Sequence, residues 1–212
     1  MPTRRVFITS GAALGVSAAS LPLFAQTPAR PNPMPDALRK ALERDPNAPV
    51  LGNPNGNITL VEFFDYNCQY CRKMLGTVQK LISSDPQLRV VYREWPVFGE
   101  GSEFAAKASL ASLRQQKYWP FHAAMLGMKD RAVEATVLRV ARQVGLDEKR
   151  LRADMERPEV TAHIDTSFQL ADHIGLAGTP SFIAGDEVVF GEMPLKEMTD
   201  LIARARKTLG VT

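Results

Sequence analysis

Both cysteines of this 212-residue chain stand together, as Cys68-Gln69-Tyr70-Cys71, just beyond the run Ile58-Thr59-Leu60-Val61-Glu62-Phe63-Phe64. A β-branched and aromatic run followed by a thiol pair predicts a strand turning into a helix, with the thiols at the helix's start. Such a pair can close a small disulfide and open it again. No further cysteine is available for a structural bridge, so any redox chemistry of the chain is placed at Cys68 and Cys71.

The N-terminal residues read as an address and not as fold. Thr3-Arg4-Arg5-Val6-Phe7-Ile8 is followed by an uncharged stretch from Gly11 to Phe24, too short to span a bilayer comfortably. The arginine pair resembles a twin-arginine export signal; an ordinary secretory signal with an incidental Arg-Arg is the alternative. Cleavage after Ala25 fits, although Leu23 is larger than the small residue usual two positions upstream. Residues 1–25 are therefore expected to direct export to the periplasm. They contain Arg4 and Arg5 and no acid, so their removal takes the net charge from +3 to about +1, which argues against a nucleic-acid partner. A hydrophobic content of 45% is enough for one real core. An oxidising compartment with a single Cys-x-x-Cys favours catalytic over structural thiols.

Residues 26–49 hold a proline-rich linker with Pro28, Pro31, Pro33 and Pro35, then a short amphipathic helix over 34–44. That helix is too short to stand alone and is expected to dock on its own domain or, alternatively, on a second copy. Strands are expected over 58–64 and 88–95, with a helix from Cys68 to about Ser83 between them, giving a parallel β-α-β unit. Helices are then expected over 104–116, 118–126 and 133–144, from Asp147 as N-cap to about Met155, and over 158–174. A hairpin of 181–184 and 187–190 and a helix over 195–209 close the chain. The predicted organisation is one α/β sheet built from residues 50–98 and 175–212, interrupted by a helical block over 99–174.

A thiol at a helix N-terminus faces unpaired N–H groups and the positive end of the dipole, which lower its pKa. Cys68 is therefore the attacking thiol and Cys71, one turn further in, the resolving one. A zinc site is the competing reading, but only His122, His163 and His173 could complete it and none forms a close pair, so no metal is expected. Glu62 is either a buried acid able to exchange a proton with the resolving thiol or a solvated edge residue; the strand pattern leaves both open. Gly178-Thr179-Pro180 precedes a strand, and its proline is compatible with a cis or a trans bond. Tyr66 and Tyr70 flank the thiols and either dock peptides or cover the site.

Val61-Glu62-Phe63-Phe64-Asp65-Tyr66-Asn67-Cys68-Gln69-Tyr70-Cys71 resembles the active-site segment of DsbA-like thiol–disulfide oxidoreductases. Phe104-Ala105-Ala106, Tyr118-Trp119-Pro120-Phe121-His122, Val144-Gly145-Leu146-Asp147 and Gly178-Thr179-Pro180-Ser181-Phe182 are similar to that family in the same order. The resemblance runs over roughly residues 50–208. It implies a thioredoxin fold with an inserted helical subdomain, Cys68 as an exposed nucleophile, Cys71 as its buried partner and Glu62 as the family's buried acid. It further implies a cis-proline at Pro180, and Thr179 offering backbone hydrogen bonds to substrate. Gln69 and Tyr70, between the cysteines, would also meet substrate. They stand where the best-known member carries Pro-His, and the loss of that histidine points to a weaker oxidant.

Three functions follow in order. The first is disulfide donation to reduced or unfolded exported proteins, with a membrane quinone-linked thiol oxidase or reductase as electron partner and no cofactor. The second is an isomerase or reductase assembled as an oligomer through residues 34–44; Thr179 is a residue also common before the cis-proline of such relatives. The third is a copper-binding envelope protein using the two thiolates.

Overall fold

The computed structural model describes residues 33–211. The expected export signal and the linker up to residue 32 lie outside the described residues. The elements in chain order are α1 (Asp36–Glu43), β1 (Val50–Gly52), β2 (Ile58–Phe64), α2 (Gln69–Ser84), β3 (Leu88–Glu94), α3 (Glu100–Ser112), α4 (Tyr118–Gly127), α5 (Glu134–Gln143), α6 (Glu148–Met155), α7 (Pro158–Ile174), β4 (Ser181–Ala184), β5 (Glu187–Phe190) and α8 (Leu195–Leu209).

The strands form one sheet in the order β1-β3-β2-β4-β5. β2 and β3 are parallel, as the intervening helix requires, while β1, β4 and β5 join antiparallel. This is the thioredoxin-type arrangement with a helical insertion expected from the sequence. β1 was not expected. It is a three-residue edge strand, and its Gly52 lies at φ 75°, where a Cβ would sit 2.5 Å from the Leu88 carbonyl oxygen. So short a strand carries no alternation to read.

Alternation along β2 divides the sheet's two faces. Leu60 and Phe64, with Val90 of β3 and Phe182 of β4, pack beneath α2, α8 and the helices α3, α4 and α5. Val61 and Phe63, with Val91 and Ile183, pack on the other face against Leu42 of α1 and Leu170 and Ala171 of α7. The helical block is thus tied to the sheet by α7, whose C-terminal half covers a sheet face.

α3 begins at Glu100, earlier than the residue 104 the periodicity suggested, and ends at Ser112 in a 3-10 turn over 113–115. Gly99 opens it at φ 90° and Glu100 and Glu103 complement the dipole in its first turn. Asp147 caps α6 as expected, accepting from Arg150 N.

α1 docks on its own domain. Met34, Leu38 and Ala41 pack with the buried Leu42 against the sheet, so the apolar face proposed for self-association is already covered. Two arginines of β3 hold the helix's C-terminal end. Arg93, with no side-chain exposure, donates to the Ala41 and Leu42 carbonyls and pairs with Asp45 at 2.5 Å, and Arg89 donates to Glu43 O at 2.6 Å. These guanidinium groups satisfy carbonyls that the helix itself leaves open. His163 of α7 completes the cluster. Its Nε2 accepts from Glu94 N at 3.2 Å, which leaves the proton on Nδ1, 3.6 Å from Asp45.

Burial would push the Asp45 carboxyl up, but His163, the Asn47 N–H and Arg93 outweigh it and hold its pKa well below the ordinary 3.8. A depressed carboxyl pKa gives stability that is present above pH 3.8 and lost as pH falls further. Removing Arg93 leaves Asp45 and the Ala41 and Leu42 carbonyls without their cation. Urea unfolding of Arg93→Met should show a loss of about 3 kcal/mol near neutral pH. Asp45→Asn should flatten the acid limb of the stability curve; an unchanged acid limb would show that this cluster does not hold α1.

Candidate active site

β2 ends at Phe64 and the chain makes a tight turn before α2. Asp65 organises that turn. Its Oδ1 accepts from Asn67 N at 2.7 Å and Ser102 Oγ at 2.7 Å, and its Oδ2 accepts from Val97 N at 2.7 Å and Phe98 N at 3.1 Å. An Asx turn of this kind re-aims the backbone from strand to helix. It delivers Cys68 as the N-cap of α2, in extended conformation, with its Sγ accepting from Cys71 N at 3.4 Å. The same sulfur lies 3.2 Å from the Thr179 carbonyl oxygen, to which the neutral thiol donates. Thr179-Pro180 is cis and leads into β4. Sequence positions 68 and 179 thus meet because β4 lies beside β2.

Both cysteines are free thiols. Cys71 is fully buried, as expected. Cys68 is not the exposed residue the family resemblance implied: only 3% of it reaches solvent. Contact with the Thr179 loop and its inward position at the helix's first turn cover it. The exposed residues of the motif are Gln69 and Tyr70, the latter 45% exposed, so the outer rim of the site is the dipeptide between the thiols. Tyr66 is buried and cannot form a docking surface. Its hydroxyl joins Ser109 at 2.6 Å, His122 Nδ1 at 2.9 Å and Glu94 at 3.3 Å in a polar cluster inside the helical block. The aromatic run at 118–122 belongs to that packing, with Tyr118, Phe121 and His122 buried.

The two thiols are driven apart in acidity. Hydrogen bonding from the Cys71 thiol lowers the Cys68 pKa from 9.0 to about 6, with Thr179 and the N–H groups of Cys71 and Tyr70 adding to it against burial. Burial pushes Cys71 far up, and the neighbouring Cys68 and Glu62 charges add to the rise. Glu62 is a buried acid and not an edge residue; it faces the α2 side of β2, in register between Tyr92 of β3 and Phe182 of β4. Burial, and then the Cys68 charge, raise its pKa from 4.5 to about 8. One acidic thiol, one basic thiol and one carboxyl held neutral below about pH 8 thus stand together at the start of α2.

A family model described as DSBA-like thioredoxin domain matches residues 59–203, which span the thiol pair, the helical block and the cis-proline. The chain belongs to the DSBA-like thioredoxin domain family. A solved thioredoxin-like oxidoreductase from Silicibacter pomeroyi DSS-3 is 56% identical, with 80% of this chain and 98% of that one covered at a TM-score of 0.78. The thiol-disulfide exchange protein alpha-DsbA2 of Wolbachia pipientis is 27% identical, with 79% and 91% covered and a TM-score of 0.74. Among curated proteins, the Na(+)/H(+) antiporter NhaA 3 of Salinispora tropica is 26% identical over 158 residues, 74% of this chain and 24% of the antiporter. The chain thus spans about a quarter of the length of the first curated relatives it matches.

Sequence reading gave no role to Asp65, Asn67 or Arg72, although all lie beside the cysteines. Their side chains bond to segments far along the chain, and no local spacing announces that. An Asp and an Asn straddling one residue before a helix start is the signal that could have marked the turn.

A carboxyl whose folded pKa is raised destabilises the fold as pH climbs from its unfolded to its folded value. For Glu62 that window runs from 4.5 to about 8. Between pH 5 and pH 8, reduced Glu62→Gln protein should therefore gain about 3 kcal/mol of unfolding free energy relative to wild type. Parallel urea titrations at the two pH values measure it, and parallel behaviour of the two proteins would place an ordinary carboxylate at residue 62.

Proposed function

We propose that the protein donates disulfides to exported proteins, with Cys68 as the reacting sulfur, Cys71 as the resolving sulfur and Glu62 as the proton donor. The observation that carries this reading is the inequality of the two thiols. With a pKa of about 6, reduced Cys68 is roughly nine-tenths thiolate at pH 7. That ionisation stabilises the reduced form by about 1.4 kcal/mol, which corresponds to roughly 30 mV of added oxidising potential.

The reaction starts from the Cys68–Cys71 disulfide. A substrate thiolate attacks Cys68 Sγ, the intramolecular S–S bond breaks, and its electron pair goes to Cys71. Glu62, neutral below about pH 8, supplies the proton that Cys71 then takes up and is reprotonated from solvent before Cys68 leaves as a thiolate. A second substrate thiolate attacks the substrate sulfur of the mixed disulfide and expels Cys68 as a thiolate. The substrate dithiol is oxidised by two electrons and the cysteine pair is reduced. A low leaving-group pKa speeds that last step. A membrane quinone-linked thiol oxidase regenerates the disulfide.

Gln69 and Tyr70 at the exposed rim, and Thr179 and Pro180 opposite Cys68, are the substrate contacts in this scheme. The backbone of the Thr179 loop offers an extended chain its hydrogen bonds, in the manner of strand addition. The export signal expected over residues 1–25 supports a periplasmic setting for the reaction. The isomerase alternative needed residues 34–44 as an assembly surface; the docking of α1 on its own sheet supports the oxidase reading over it.

Oxidised protein should accelerate disulfide formation in a reduced, multi-cysteine substrate, and Cys68→Ser should fall to the uncatalysed background. The reduced enzyme's iodoacetamide reactivity should titrate near pH 6, not near 9. Equal refolding rates with wild type and Cys68→Ser would reject the proposal.

A further inference from the structure

α2 carries a cation where its dipole disfavours one. Arg72 lies just beyond the Cys68 N-cap, its own N–H donating to Cys68 O at 3.2 Å, and the first turn holds no acid to offset it. Its side chain turns back over the helix start. Nε donates to Tyr66 O at 3.0 Å, Nη1 to Met128 O at 2.8 Å and Nη2 to Asp130 O at 2.8 Å. One guanidinium thereby joins the turn that precedes Cys68 to the loop between α4 and α5.

Asn67, on the other side of Cys68, reaches the same loop. Its amide pairs with both backbone groups of Ala132, accepting from N at 2.8 Å and donating to O at 3.0 Å, and donates to Ser102 Oγ at 2.9 Å. The start of α3 closes on the loop as well: a Cβ at Gly101 would lie 2.3 Å from Ala132 O. The loop's backbone is held by these side chains, while Lys129, Asp130, Arg131 and Val133 face solvent.

We propose that Arg72 is a positioning residue for Cys68, fastening the loop Met128–Val133 to the active-site turn and holding a cation over the start of the helix that Cys68 caps. This rests on the reading of Cys68 as the reacting sulfur. Arginine suits the task because a planar fork can serve three carbonyls at once, whereas an ammonium carries the same charge without that geometry. Burial lowers the Arg72 pKa, and the charges of Asp65, Cys68 and Asp130 oppose it, which puts the guanidinium within electrostatic reach of the sulfur.

The test compares Arg72→Met and Arg72→Lys with wild type by two readouts. Trypsin cleavage after Lys129 and Arg131, mapped by mass spectrometry, reports the loop. Alkylation of reduced Cys68 by iodoacetamide at pH 7 reports the thiolate. Both variants should be cut about tenfold faster in the loop, because neither can hold it. Arg72→Met should alkylate about threefold more slowly, and Arg72→Lys at close to the wild-type rate, because it keeps the charge. Loop cleavage at the wild-type rate in either variant overturns the proposal, as does Arg72→Met alkylating like wild type or Arg72→Lys alkylating as slowly as Arg72→Met. If Arg72→Met does not fold, the two readouts on Arg72→Lys decide. Wild-type protein alkylating like an ordinary free thiol would sink the reading of Cys68 itself, a result distinct from any of these.

Discussion

Ile58–Phe64 has a strand on either side and helices on both faces, and all of its residues are buried. Every other part of the site takes its place from that strand. One face of β2 carries Glu62 inward, below α2. Its C-terminal end carries the Asp65 turn, and through it Cys68. Its antiparallel neighbour β4 brings the Thr179 carbonyl to the sulfur. A strand enclosed on all sides cannot slip in register without exposing its whole apolar set. The thiol, the acid and the proline loop are therefore fixed relative to one another by burial, before any hydrogen bond within the site is counted.

The same enclosure creates the electrostatics. Cys68 and Cys71 are one helical turn apart and chemically the same, yet one acidity is raised and the other lowered. The difference begins with the hydrogen bond between them, which the Cys71 thiol donates and the Cys68 sulfur accepts, and the backbone N–H groups add to it. Cys68, at the N-cap, faces donors that the helix leaves unused, while Cys71, inside the first turn, faces apolar side chains and a carboxyl. Among the described residues Glu62 has no such donors, and burial keeps it protonated to about pH 8. A proton on Glu62 and a charge on Cys68 are thus complementary: each is favoured by the state of the other, since both groups charged would place two anions in one apolar pocket.

Much of this was legible in the sequence. The spans 58–64, 158–174, 181–184, 187–190 and 195–209 were found to the residue, because each is bounded by proline, glycine or a polar turn and has one clear period. The site's principals, Cys68 and Cys71, were equally plain, since the chain has no other cysteine. Glu62 was left undecided because strand alternation does not say whether a face is solvated. What escaped was whatever depends on distant partners. The start of α3 was hidden by Gly99 and Gly101, which look like a loop in isolation. Cys68 was expected to be open to solvent because the position of the 178–180 loop over it is set by β4 pairing, and a resemblance in sequence carries no such coordinate. Asn67 and Arg72 bond to main-chain atoms of a loop some sixty positions on, and a backbone partner leaves no residue type to recognise.

The arrangement of α1 bears on which reaction the fold serves. An isomerase needs several sites held around one substrate, so it needs a surface through which copies assemble. The amphipathic helix at the N-terminal edge is the obvious candidate in sequence, and its apolar stripe is directed at the sheet of its own domain. Arg93 and Arg89 fasten its last carbonyls from below, so releasing the helix would break three guanidinium–carbonyl hydrogen bonds as well as the apolar packing. The clamp therefore holds α1 on its own sheet, and that docking supports the proposed disulfide donation over an isomerase assembled through this helix.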